Sequence, residues 1–286
     1  MPDHETVTES EATAGSETVS NEPTDEAATD GPTSETASNG VAVTVAVDRL
    51  TRLLDVVSAV VEECRLHFEP DGLRVVATDP ARVALTTVEL DADGCVSYAG
   101  DGTTVGVDAD RLAELVSVAD DGPVTLALDP ETLSLDVRLP GLSYTVAVID
   151  PERVQEPPAR EELSFPYDAG CSLPASELDR LVRAVDLIGD YVRLGVDPDE
   201  PAFTVDAEGD TDEVRLRYGP DDLPSLAPGV ADSLFSLNYL ADVSRVVPND
   251  ATVDIRLGEE CPVRFEYDFG DGHGTTETLV SPRLRK

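Results

Sequence analysis

The sequence predicts an α+β fold made of two tandem copies of one unit, each with two helices gathered on one face of antiparallel sheet. Three observations carry that prediction. The first is a constant offset: a shift of 128 positions lays Arg52-Leu53 on Arg180-Leu181, Arg65-Leu66 on Arg193-Leu194, Pro70-Asp71 on Pro198-Asp199 and Leu112-Ala113 on Leu240-Ala241. One offset held over about sixty residues marks a duplication. The second is the alternation, in each half, of two helical apolar periods with many short β-branched runs, the pattern of helices gathered on one face of a sheet. The third is the stretch 150–166, which carries four prolines and no periodicity and therefore reads as an extended connector. The expected organisation is an acidic extension over 1–40, a first unit over 41–149, the connector, and a second unit over 167–286.

Each element follows from its local pattern. Residues 1–40 hold ten acids, no Lys or Arg and no aromatic residue. Such a segment cannot bury enough apolar surface to offset its ordering entropy, so it is expected to be disordered. Val41 to Val47 alternates as a strand does, and Asp48 offers an N-cap to a helix whose apolar face is Leu50, Leu53, Leu54, Val57, Val60 and Val61. Strands are expected at Arg65–Phe68, Leu73–Thr78, Val83–Leu90 and Thr104–Val107, parted by the turns Glu69-Pro70-Asp71-Gly72 and Asp91-Ala92-Asp93-Gly94. A second helix from Asp110 to Ala119 stops at Asp121-Gly122-Pro123, and strands Val124–Leu128, Leu133–Leu139 and Leu142–Ile149 complete the first half. The second half repeats the order: helix Ser176–Ile188, strands Val192–Val196, Phe203–Ala207 and Val214–Tyr218, helix Asn238–Val247, then strands Val253–Leu257, Val263–Phe269 and Thr275–Val280.

Composition narrows the function classes. There are 59 acidic against 20 basic residues, a net charge of −39, and Lys286 is the only lysine. Charge of that size maintains solubility while straining the fold by self-repulsion, and the simplest reading is adaptation to molar salt. No apolar run approaches the ~20 residues that span a bilayer, and the N-terminus has no secretory pattern, so a cytoplasmic protein without membrane contact is expected. Cys64, Cys95, Cys171 and Cys261 are too scattered for a zinc pattern, and Cys64 and Cys171 sit among apolar neighbours as buried free thiols would.

The remaining motifs point away from chemistry. His4, His67 and His273 share no neighbourhood. The alternate acids of Asp206-x-Glu208-x-Asp210-x-Asp212 have their glycine in the wrong place for a calcium loop and lack the closing Glu, so they read as a turn. Gly270-x-Gly272-x-Gly274 joins two strands and opens no helix, which makes it a hairpin loop and not a phosphate cradle. Ser172, Ser233 and Ser236 have no recognisable histidine partner. No catalytic residue, metal site or cofactor is expected.

Several segments then resemble one family in the right order. They are Asp71-Gly72-Leu73 leading into Ala77-Thr78-Asp79-Pro80-Ala81-Arg82-Val83, Ile149-Asp150-Pro151, Ala207-Glu208-Gly209-Asp210-Thr211-Asp212, Ser233-Leu234-Phe235-Ser236-Leu237-Asn238-Tyr239-Leu240, Leu257-Gly258 with Cys261-Pro262-Val263, and Ser281-Pro282-Arg283-Leu284. Across 41–286 the chain resembles an archaeal DNA sliding clamp of the proliferating-cell-nuclear-antigen family. The resemblance implies tandem clamp domains in a ring of three identical chains around double-stranded DNA, tethering DNA polymerase, loaded by a clamp loader ATPase and recruiting a flap nuclease and DNA ligase through short hydrophobic motifs.

What the resemblance implies for single residues is specific. Arg49, Arg52, Arg111, Arg180, Arg183 and Arg245 would face DNA from the helices. Leu142, Tyr144, Val146 and Val148 of one subunit would pair along Val214, Leu216 and Tyr218 of the next. Thr78, Arg82, Val154, Pro157, Pro262, Leu279 and Pro282 would form the pocket for partner motifs, with Thr78 and Arg82 making it more polar than in relatives. Thr78 stands where an apolar residue is usual, Arg82 where His is common and Ser281 where Ala is common. The acids mixed among the helix arginines keep a second reading open: a clamp-derived interaction protein that does not encircle DNA.

Overall fold

The computed structural model describes residues 40–158, 163–197 and 199–283. The disorder expected for 1–40 therefore lies, apart from Gly40, outside the described residues. The first half runs β1 Ala42–Ala46, α1 Val47–Ser58, β2 Glu63–Glu69, β3 Gly72–Thr78, β4 Ala84–Asp91, β5 Ser97–Ala99, β6 Thr103–Asp108 and α2 Ala109–Val116. It closes with β7 Pro123–Asp129, β8 Ser134–Leu139 and β9 Leu142–Ala147. The second half runs β10 Ala169–Pro174, α3 Ala175–Asp186, β11 Tyr191–Asp197, β12 Ala202–Glu208, β13 Glu213–Tyr218, β14 Ser225–Ala227, β15 Ala231–Ser236 and α4 Leu237–Val246. It closes with β16 Thr252–Leu257, β17 Val263–Phe269 and β18 Gly274–Val280.

The sequence repeat is a structural repeat. At the offset of 128, α1 falls on α3, β2 on β11, β5 on β14 and β6 on β15 with identical bounds. Equivalent strands also pair equivalently: β1 sits between β5 and β7, and β10 between β14 and β16. Three sheets result, in the orders β5-β1-β7-β8-β9, β13-β12-β11-β15 and β14-β10-β16-β17-β18-β4-β3-β2-β6. The nine-stranded sheet joins the halves, because β18 pairs antiparallel with β4 from Gly274↔Leu90 to Val280↔Ala84. At that seam Thr86 and Thr278 share a buried hydroxyl–hydroxyl hydrogen bond of 2.9 Å.

The four helices form one layer. α1 packs beside α2, α3 beside α4, and α1 against α4 across the seam. Their apolar faces are buried at Leu50, Leu53, Leu54 and Val57 on α1, Leu112 and Val116 on α2, Leu178, Leu181, Val182 and Val185 on α3, and Leu240 and Val243 on α4. At about 1.5–3 kcal/mol for each fully buried aliphatic side chain, this face holds each helix to its sheet far more strongly than helix propensity could. Cys64 and Cys171 are buried in the same core, where loss of hydration pushes both thiols up to about 12.

Asp48 does not cap α1; Ala46 occupies the N-cap position without a side-chain bond, and Asp48 lies in the first turn. Val60 and Val61 follow the end of α1 and are only half-buried. The second helix begins at Ala109, because Asp108 is its N-cap and accepts a hydrogen bond from the Arg111 backbone N–H at 2.8 Å. Leu133 does not enter β8, since its φ of 52° is left-handed. β5, β10, β14 and β15 carry little β-branched alternation and were not predictable as strands; pairing within the sheets creates them.

Candidate functional site

Three surfaces correspond to the three residue sets singled out from sequence. On the helix layer, the six arginines have different fates. Arg49 points to the seam between the halves: its guanidinium donates to the Gly94 carbonyl and lies 3.4 Å from Asp271, and its side chain is only 20 % exposed. Arg180, Arg183 and Arg245 each pair with an acid one turn earlier, Glu177 at 2.9 Å, Asp179 at 2.7 Å and Asp242 at 3.0 Å. These pairs are exposed and contribute little to stability, but they lower the net positive field each arginine offers. Arg52 and Arg111 are exposed and make no ion pair among the described residues.

The second surface is a pair of sheet edges. β9 ends the five-stranded sheet and β13 ends the four-stranded one. Along β9, Tyr144 and Val146 are half-buried while Leu142, Ser143, Thr145 and Ala147 are exposed. Along β13, Val214 and Leu216 are half-buried, Tyr218 is buried, and Glu213, Arg215 and Arg217 are exposed. The half-buried residues pack against the core, leaving one rim of each strand and its backbone groups without a neighbouring strand. The Tyr218 hydroxyl donates to Glu177 at 3.2 Å, which ties the end of β13 to α3. Val148 lies beyond β9, where its N–H reaches the Leu133 carbonyl at 3.0 Å.

The third set surrounds the connector and does not gather in one depression. Thr78 and Leu279 share a row on the outer sheet face, because Thr78 pairs with Leu85 and Leu85 with Leu279. Leu279 is covered together with Val76 and Leu85 by Phe165 and Leu163 of the connector. Thr78 and Val154 line a depression of about 500 Å³ with Pro80 and Gln155. Pro157 lines a charged cleft of about 770 Å³ that includes Arg65, Arg264 and Glu277. Pro282 lines a third depression of about 340 Å³ with Arg193 and Asp232. Pro262 is half-buried just before β17, and Arg82 is exposed with a left-handed φ of 56°. The Thr78 hydroxyl donates to the Ala84 carbonyl at 3.0 Å, so it adds little of the polarity expected of it.

Three residues not among those sets organise this region. Asp79 is buried, and one carboxylate oxygen accepts the backbone N–H groups of Val83 at 2.7 Å and Ala84 at 2.8 Å. The other accepts Ala81 N–H at 3.2 Å and the Tyr239 hydroxyl of α4 at 3.0 Å. A buried carboxylate is tolerable only when hydrogen-bonded in this way. The Asp79 carbonyl in turn accepts the Gln155 side chain at 3.4 Å. Gly106 seats the start of the connector: it exchanges both backbone hydrogen bonds with Ile149, and a Cβ there would lie 2.9 Å from Val154. Arg65 holds the next turn by donating to the Val154 carbonyl at 3.0 Å.

Known proteins share this architecture. The family model described as "Proliferating cell nuclear antigen, N-terminal domain" matches residues 44–137. A protein named DNA polymerase sliding clamp from Natronomonas pharaonis is 43% identical over 84% of this chain and 97% of its own. Another of that name from Haloarcula marismortui is 42% identical over the same shares. Both come from halophilic archaea, in keeping with the acidic composition. Among solved structures, "C-terminal region of FEN-1 bound to A. fulgidus PCNA" aligns with a TM-score of 0.80 and 29% identity over 86% of this chain and 99% of that one. The PCNA of Thermococcus kodakaraensis aligns with a TM-score of 0.76 at 24% identity, a likeness of fold, over 85% and 100%. The reading as a diverged, non-encircling paralogue finds no support in these names. With its tandem repeat, single helix layer and these relatives, the chain belongs to the DNA polymerase sliding clamp family of proliferating cell nuclear antigens.

Proposed function

We propose that three copies of this chain close into a ring that encircles duplex DNA and carries DNA polymerase and other replication enzymes along it. Two clamp domains, 41–149 and 167–286, joined by the connector 150–166, make up each copy, and the extension 1–40 plays no part in assembly. The observation that carries this reading is the seam between the halves. In the repeat, β9 is the counterpart of β18 and β13 the counterpart of β4. β18 and β4 are paired within the chain, whereas β9 and β13 are both edges. Pairing β9 of one copy with β13 of the next repeats the internal seam between subunits and removes two exposed edges per copy. Leu142, Tyr144 and Val146 then run along Val214 and Leu216.

In such a ring the helix layer faces the hole, with Arg52 and Arg111 supplying the least compensated contacts to phosphate. Few contacts suffice, because a closed ring stays on DNA by topology where counterion-release affinity fades in high salt. Partners bind beside the connector, with an apolar anchor entering the depression lined by Thr78, Pro80 and Val154; one similar clamp, that of A. fulgidus, has the C-terminal region of FEN-1 bound. Replacing Tyr144 by Asp puts a charge in a strand seam. The expected outcome is a monomer by light scattering in 2 M salt and loss of retention on nicked circular DNA after clamp loading. A Tyr144→Asp protein of unchanged oligomer size would overturn the β9–β13 assembly.

A further inference from the structure

On a surface this acidic, an exposed arginine that forms no ion pair is informative. Among the described residues, eleven arginines form ion pairs, and Arg52, Arg82, Arg111, Arg153, Arg256 and Arg283 do not. Three of these six belong to segments, far apart in sequence, that meet at the loop 79–83. Arg82 belongs to the loop, and its N–H donates to the Asp79 carbonyl at 2.9 Å. Gln155 reaches the same carbonyl at 3.4 Å and brings the connector with its exposed Arg153. Ser281 N–H donates to the Val83 carbonyl at 2.8 Å and brings Arg283. The Arg283 guanidinium lies 4.3 Å over the Tyr191 ring and donates to its hydroxyl at 2.9 Å, contacts that fix the group without neutralising it.

None of the acids of this neighbourhood forms an ion pair with these three arginines among the described residues, although Asp232, Glu259 and Glu260 line the same depression as Arg283. Asp79 is saturated by the loop N–H groups and Tyr239. Glu156 faces Arg65 at 3.8 Å. Glu152 beside Arg153, and Glu259 and Glu260 beside Arg283, do not come within 4.0 Å of either guanidinium.

We propose that Arg82, Arg153 and Arg283 form a cationic rim that selects partner segments carrying carboxylates next to their hydrophobic anchor. The inference rests on the connector as the partner site and adds the chemical class of the partner. The planar guanidinium suits this role, since its fork grips a carboxylate bidentately. The overall charge of −39 favours the opposite order, drawing basic peptides by its long-range field. The two effects therefore predict different rankings.

Three peptides with the same glutamine-plus-aromatics motif, flanked by aspartates, by serines or by lysines, would be titrated calorimetrically against the full chain at 0.5 M and 3 M KCl. The expected result is that the aspartate-flanked peptide binds several-fold more tightly than the serine-flanked one at 0.5 M. The ratio narrows at 3 M as the Debye length shrinks. In Arg153→Gln and Arg283→Gln the ratio falls toward one, and in Arg153→Lys it is partly kept. Equal affinities for aspartate- and serine-flanked peptides, or tightest binding of the lysine-flanked one, would overturn the rim while leaving the partner site in place. No binding by any peptide would remove the partner site and the rim with it.

Discussion

At the scale of single residues, Asp79 is the polar group that ties the loop before β4 to the second half. It gathers three backbone N–H groups of its own loop and the Tyr239 hydroxyl from the second half. Hydrogen bonds to a charged acceptor contribute about 1.5–3 kcal/mol each, and removing the acceptor leaves buried donors without a partner. Asp79→Ala is expected to lower stability by about 3 kcal/mol and Asp79→Asn by less, measured by chemical unfolding in high salt. Tyr239→Phe removes a single link and should cost about 1 kcal/mol. An Asp79→Ala protein as stable as the parent would show that the loop does not depend on this carboxylate.

At the scale of elements, the connector is held by its first turn and not by its prolines alone. Gly106 and Ile149 form an antiparallel bridge, and Val154 lies against the glycine. A side chain at residue 106 would meet the Ile149 carbonyl at 2.8 Å. Gly106→Val is therefore expected to push the connector off β6. Hydrogen exchange of residues 149–154 should speed up at least ten-fold while the amides of β16 and β17 keep their protection. The counterpart in the second half supports a general role for this position: Leu234 accepts the Arg283 N–H at 2.7 Å, just after β18. Unchanged exchange over 149–154 in Gly106→Val would exclude the bridge as the anchor.

At the scale of the whole molecule, charge sets the conditions for assembly. Leaving out the ten acids of residues 1–40 reduces −39 to −29 for the remainder of each copy. Three such copies repel one another unless screened, and the Debye length grows from about 3 Å at 1 M salt to about 10 Å at 0.1 M. The apolar part of the proposed β9–β13 seam keeps its strength in excluded salts. A trimer in 2–3 M KCl that dissociates below a few tenths molar is expected by light scattering. A monomer at every salt concentration would contradict the ring.

The sequence by itself determined the repeat, the class of fold and the family, because each depends on information carried by short windows or by their spacing. Helical and alternating apolar periods placed all four helices, and one offset related the halves. Only the tertiary structure decided what depends on partners distant along the chain. Asp48 looked like a cap, yet the entry to α1 is fixed by β1 running straight into the helix at Ala46. Strands β5, β10, β14 and β15 are defined by their neighbours and not by their own alternation. Arg49 has the same local pattern as Arg52, but Gly94 and Asp271, the latter 222 residues away, draw it into the seam. The hydrogen bond from Tyr239 to Asp79, and the meeting of the segments that carry Arg82, Arg153 and Arg283, likewise depend on residues remote along the chain. A residue's type and local period say which side of an element it occupies; the groups that compete for its hydrogen bonds and charge are assembled by the fold.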